Sequence, residues 1–125
     1  MPDSEMPDEP VMETHETPRT IHAMRQQLPF VVRMDLYRLE AQQVKRLVEN
    51  MHRQPYQQCE VSYLLERLKA NAQQVSLRWR FGDHNAHELQ EIRQHCADIA
   101  NYAMMVNAHL RSLELETEGN NNDHE

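Results

Sequence analysis

Glycine is almost missing from this chain, with two residues in 125, and aromatic side chains make up only 6%. Few aromatics beside 39% apolar content argue against a β-sandwich and suit one small helical domain. Long hydrophobic runs are lacking too: none approaches the roughly 20 residues needed to cross a bilayer. The acidic, proline-dotted N-terminus has neither the positive start nor the apolar centre of a signal peptide, so a soluble, cytoplasmic protein is expected. Cysteine is limited to Cys59 and Cys96, without CxxC spacing, and Cys96 lies on an apolar helical stripe. Packed free thiols are the expectation, over a disulfide or a zinc site.

Basic residues are in deficit, but unevenly. The formal net charge is −7. Residues 1–20 carry Asp3, Glu5, Asp8, Glu9, Glu13 and Glu16 against Arg19, a net of −5, and residues 114–125 carry five acids and no Lys or Arg. The stretch between them is therefore +3. Both ends are poor in apolar residues, with Pro2, Pro7, Pro10 and Pro18 on one side and Gly119-Asn120-Asn121-Asn122 on the other. Such segments bury too little to offset the entropy of ordering, and disordered acidic tails over 1–20 and 114–125 are expected around a folded domain of 21–113.

What the chain does have is helical periodicity. Phe30, Met34, Tyr37, Ala41, Val44, Val48 and Met51 alternate gaps of four and three, which predicts a first helix closed by Pro55. Val61, Leu65, Leu68, Ala72, Val75 and Trp79 repeat the pattern and stop at Gly82, predicting a second helix over about 61–80. Leu89, Ile92, Cys96, Ile99, Ala103, Val106, Leu110 and Leu113 form the third and clearest stripe. Its start is marked by Asn85 with Glu88 three residues on, the pattern of a capping box. No alternating β pattern persists. The fold class is all-α, an antiparallel bundle of about three main helices joined by short connections. Continuous seams on three helices leave apolar surface uncovered, so completion by a second copy is expected.

Four segments, in order, resemble the MazG-like all-α nucleotide pyrophosphohydrolases. They are Phe30-Val31-Val32-Arg33-Met34; Asn50-Met51-His52-Arg53 with Cys59; Leu64-Leu65-Glu66-Arg67-Leu68; and Ala97-Asp98-Ile99-Ala100-Asn101-Tyr102-Ala103-Met104-Met105. The similarity covers about residues 30–110. It implies hydrolysis of a nucleoside triphosphate between the α and β phosphates, with Mg²⁺ or Mn²⁺ held by a Glu-Glu-x-x-Glu set on one helix and a Glu-x-x-Asp set on the facing one. Hard oxygen ligands suit that cation, and spacing by three or four keeps them on one face. A phage or prophage source also fits the resemblance.

Laid on this sequence, the first acidic set falls on Ala70, Asn71 and Gln74 and the second on His95 and Asp98, so Asp98 is the one carboxylate kept of five. A single formal charge loses most of the attraction that holds Mg²⁺ beside a polyanionic nucleotide. The resemblance also implies a Lys and a Gly-Trp pair where Arg53 and Pro55-Tyr56 stand. Within the matching segments, Asn101, Arg53 and Arg67 are the candidate nucleotide-binding residues. A rearranged metal site is the alternative: Glu91, His95 and Asp98 are spaced i, i+4, i+7, Glu66 sits one turn before Ala70, and His95 would favour a transition metal. The plainer reading makes Glu91 and His95 a solvated face and gives Asp98 a hydrogen bond to a neighbouring helix.

Other constellations have bland readings. Arg67, Lys69, Arg78 and Arg80 interleave with Trp79 and Phe81, but they spread around the helix and carry no nucleic-acid motif, so nucleic acid is not an expected partner. Trp79 reads as an anchor at the core edge or dimer seam. Among eight dispersed histidines only His84 and His87 are close, at a surface helix start. Met104 and Met105 read as packing, and no serine or cysteine nucleophile has a paired base. The sequence thus predicts a MazG-like helical protein, catalytically degenerate, that binds a nucleoside triphosphate or a protein and forms a homodimer. A metal-dependent pyrophosphohydrolase with a rearranged site is the alternative.

Overall fold

The computed structural model describes residues 17–51, Arg53 and 55–123, with backbone alone over 120–123. The expected acidic tail over 1–16 and His52 of the second matching segment lie outside the described residues. Four helices follow in order: α1 (Pro18–Gln26), α2 (Phe30–Glu49), α3 (Val61–Phe81) and α4 (Ala86–Asp123), with a 3-10 turn at Tyr56–Gln58 before α3. Among the described residues there is no strand, and the class is all-α. No helix among them is long and apolar enough to cross a membrane.

Contacts divide the chain into two compact units, with the boundary inside α2 between Arg38 and Leu39. In the first, α1 begins where the expected tail has not yet ended. Thr17 caps it, its side chain accepting from the Thr20 amide at 3.1 Å, and Pro18 takes the first helical position, where a missing N–H costs nothing. Pro29 then opens α2, and Arg33 donates to the Gln26 side chain at 3.0 Å.

The second unit is built on the α3–α4 hairpin. Gly82 ends α3 by donating to the Arg78 carbonyl at 2.9 Å. A Cβ there would lie 2.5 Å from that oxygen, so close approach rather than an unusual φ requires glycine. His84 makes the reversal with φ of 58°. Asn85 caps α4, accepting from the Glu88 amide at 2.8 Å, and the Glu88 carboxylate pairs with Arg78 at 3.2 Å. The helices pack antiparallel around Leu64 and Ala97, which are 1% and 0% exposed. The C-terminal half of α2 also runs antiparallel to α4, with Gln43 beside Asn101 and Arg46 beside Asp98.

Besides α1, which the sequence pattern did not predict, two features depart from the pattern read in the sequence. First, the apolar stripes are not the buried ones. On α2 and in the turn after it, Ala41, Val44, Val48 and Met51 are exposed, while Gln43, Arg46, Leu47 and Asn50 are half-buried. On α4, Leu89, Cys96, Ala103, Leu110 and Leu113 are exposed and Ile92, Ile99 and Val106 half-buried. Cys96 is thus an exposed free thiol rather than a packed one. The contact between α2 and α4 is polar instead. Second, α4 continues helical through the segment 114–123 expected to be an unstructured tail. A formed helix extends without the cost of nucleation, and Leu113, Glu114, Leu115 and Glu116 are good helix formers. The Thr117 hydroxyl donates back to the Leu113 carbonyl at 2.9 Å.

Candidate functional site

The polar face of α4 forms one wall of a cleft of about 800 Å³. The end of α2, with Asn50, Met51, Arg53 and residues 55–59 after it, forms a second wall, and the first half of α3 the third. The segment is tied down where the Tyr56 carbonyl meets His109 Nε2 of α4 at 3.0 Å. Leu64, Leu47, Met51 and Met105 supply the apolar part of the lining, and Tyr56, Tyr63 and Tyr102 the aromatic part.

The floor rests on two buried asparagines, each bonded through both its oxygen and its nitrogen. Asn101, 4% exposed, accepts from Gln43 Nε2 at 3.2 Å and donates to the Gln43 carbonyl at 3.1 Å, which ties α2 to α4 at two points. Asn71, 5% exposed, donates to the Arg67 carbonyl one turn back at 2.9 Å. Its oxygen therefore accepts from His95 Nδ1, 2.7 Å away. That bond fixes the tautomer: His95 carries its proton on Nδ1 and presents Nε2 as an acceptor. Burial, reinforced by the Arg78 guanidinium, holds the His95 pKa below the ordinary histidine value, so the ring is neutral at pH 7.

Charge in the cleft is mostly positive. Arg46, Arg53 and Arg67 line it against Asp98, the one carboxylate among the described lining residues. Asp98 gives both oxygens to Arg46, Oδ1 to Nε and Oδ2 to Nη2, each at 2.9 Å. The remaining Arg46 amino group donates to Glu49 at 3.0 Å. The hydrogen bond to Asp98 is the main reason the Arg46 pKa rises above its usual value. Arg67 is exposed, and its pKa also rises, chiefly through the hydrogen bond to the Tyr102 side chain.

Five of the seven candidate residues therefore share one cleft: Arg53, Arg67, His95, Asp98 and Asn101. Glu66 and Glu91 are not among its lining residues. Among the described residues no three His, Cys, Asp or Glu side chains converge as a metal group, and the oxygens of Asp98 are already committed to a guanidinium. A hard divalent cation wants several oxygen ligands, most of them charged, and the donor set here does not fit it. Asp98 instead makes the hydrogen bond to a neighbouring helix that the plainer reading gave it. Asn101 acts first as a structural tie. Trp79 is exposed and stacks on His84 with ring centroids 4.1 Å apart, away from the cleft.

Arg46 and Tyr102 are the cleft residues that sequence reasoning missed as site residues. Arg46 lies 52 positions from Asp98, and no local spacing pairs them. The available signal was Arg46 beside Leu47 on a half-apolar helix, facing an acid on the polar side of another.

No protein-family model, no curated protein and no solved structure matches this chain.

Proposed function

We propose that this chain is a MazG-like helical module that binds a nucleotide in the α2–α3–α4 cleft without metal-dependent hydrolysis. The observation that carries the reading is the balance of charge: three arginines face a cleft of about 800 Å³ whose single described carboxylate is neutralised by Arg46. Arginine forks suit phosphate oxygens, and tyrosines and methionines beside them suit a base or sugar. The experiment is pyrophosphate release and equilibrium binding with a panel of ribo- and deoxynucleoside triphosphates. Binding that saturates with no pyrophosphate above an Asp98→Ala control supports the module. Turnover abolished by Asp98→Ala supports the second reading, a pyrophosphohydrolase rearranged around Asp98, Glu91, His95 and Glu66. One observation favours that second reading: His95 is neutral and offers Nε2, which can take a proton from water.

The reading includes a homodimer. Its support is an apolar surface two helices wide on the α3–α4 hairpin. Leu65, Ala72 and Trp79 recur every seven residues on α3, and Leu89, Cys96, Ala103 and Leu110 recur every seven on α4, all exposed. At the α-helical turn these rows lie roughly 140–150° round their helices from the cleft-lining Arg67 and Asp98. Both therefore occupy the face turned away from the cleft. A second hairpin laid on that face would make four helices and leave both clefts open.

A further inference from the structure

The cleft supplies guanidinium charge where bound phosphate would otherwise need a metal ion. We propose that it holds the polyphosphate group of its ligand through arginine side chains alone, without a divalent cation, with Asp98 as an internal competitor for Arg46. The inference rests on the nucleotide reading above and names how that site meets phosphate.

Three observations converge. Donors that a cation would need are committed to other partners: Asp98 to Arg46, Asn71 to His95 and the Arg67 carbonyl, Asn101 to Gln43. Two cationic side chains that line the cleft, Arg53 and Arg67, are exposed. Finally, Asp98 lines the same cleft as Arg67 and is in contact with Arg46. A phosphate arriving at Arg67 therefore meets one lining carboxylate, Asp98, which occupies two of the donors of Arg46, while Glu49 holds the other amino group of that arginine. Replacing Asp98 by Asn does two things at once: it ends the repulsion, and with a single amide oxygen left to accept, it frees one of the two donors, Arg46 Nε or Nη2, for phosphate.

The test is calorimetric titration of the full chain with inorganic triphosphate, a deoxynucleoside triphosphate and the matching nucleoside, each in EDTA and in Mg²⁺. Expected is triphosphate binding in EDTA at least as tight as in Mg²⁺, since Mg²⁺ would compete for the same phosphate charge. Arg67→Gln, at an exposed position, should weaken it about tenfold or more, the loss of a charged hydrogen bond. Asp98→Asn should tighten it about tenfold, with thermal melting to check the fold. Equal affinity for inorganic and nucleoside triphosphate identifies a polyphosphate ligand, and a preference for the latter identifies a nucleotide; either supports the arginine site. Triphosphate binding that requires Mg²⁺, or a bare nucleoside bound as tightly as its triphosphate, overturns this inference and leaves the nucleotide reading standing. No binding of any probe in either buffer overturns both.

Discussion

Asp98 and Arg46 illustrate how one contact can exchange chemistry for structure. The two side chains are 16% and 26% exposed, so water reaches the pair but does not dissolve it. Breaking it from one side leaves a half-buried charge unpaired, whereas replacing both removes the problem. Asp98→Ala should therefore lower unfolding stability by about 2 kcal/mol, below the roughly 3–5 kcal/mol of fully buried pairs because of the exposure. Arg46→Met added to Asp98→Ala should recover part of the loss, and urea unfolding of the two single variants and the double variant reads the coupling. His95 offers a second residue-scale prediction. Its folded pKa lies below the unfolded value of about 6.5, so the unfolded chain binds the proton first. The stability it contributes is complete above that value and is lost as pH falls towards the folded pKa. Between pH 7.5 and pH 5.5, wild type should lose more stability than His95→Gln, and equal losses in the two chains would remove the assignment. The sequence brought Asp98, His95, Asn101, Arg53 and Arg67 to attention, and the structure places all five in one cleft. It concealed Arg46, because a pair formed across 52 residues leaves no trace in local spacing.

At the scale of elements, the legible parts were those written in adjacent residues. The stop at Gly82 and the start at Asn85 can be read directly: a glycine whose Cβ would strike the Arg78 carbonyl, and an asparagine whose oxygen receives the Glu88 amide, although the Glu88 carboxylate pairs with Arg78 instead of completing a capping box. Gly82→Ala should cost about 1–3 kcal/mol through that clash, and Asn85→Ala about 1 kcal/mol through the lost cap. Thermal melts of the two variants should rank in that order. Periodicity located α2, α3 and α4, yet it did not tell which side of each helix the chain itself covers. A stripe of apolar residues says that some surface is to be buried, not by what. Here the buried asparagines Asn71 and Asn101 sit between the helices, and the apolar rows of α4 face outward. Composition misled at the C-terminus for a related reason: acidic, apolar-poor residues do not start a helix, but they prolong one already formed.

On the scale of the whole molecule, the outward rows decide what the homodimer proposed above must look like. Two surfaces compete: the row Ala41, Val44 and Val48 on α2 with Met51 just past its end, and the paired rows of α3 and α4. The first is one helix wide. The second is two helices wide, with half-buried Ile92, Ile99 and Val106 along α4 and small residues, Ala72, Cys96 and Ala103, that let a facing helix approach closely. Leu110, 50% exposed, sits on that face, so Leu110→Glu would set two carboxylates into an apolar seam. Light scattering at micromolar concentration should give twice the mass of the 14.9 kDa chain for wild type and the single mass for Leu110→Glu. Val44→Glu should leave the doubled mass unchanged, and because the seam is apolar, added salt should not dissociate it. A single mass for Val44→Glu with a doubled one for Leu110→Glu would move the interface to α2, and a single mass for wild type would remove the dimer.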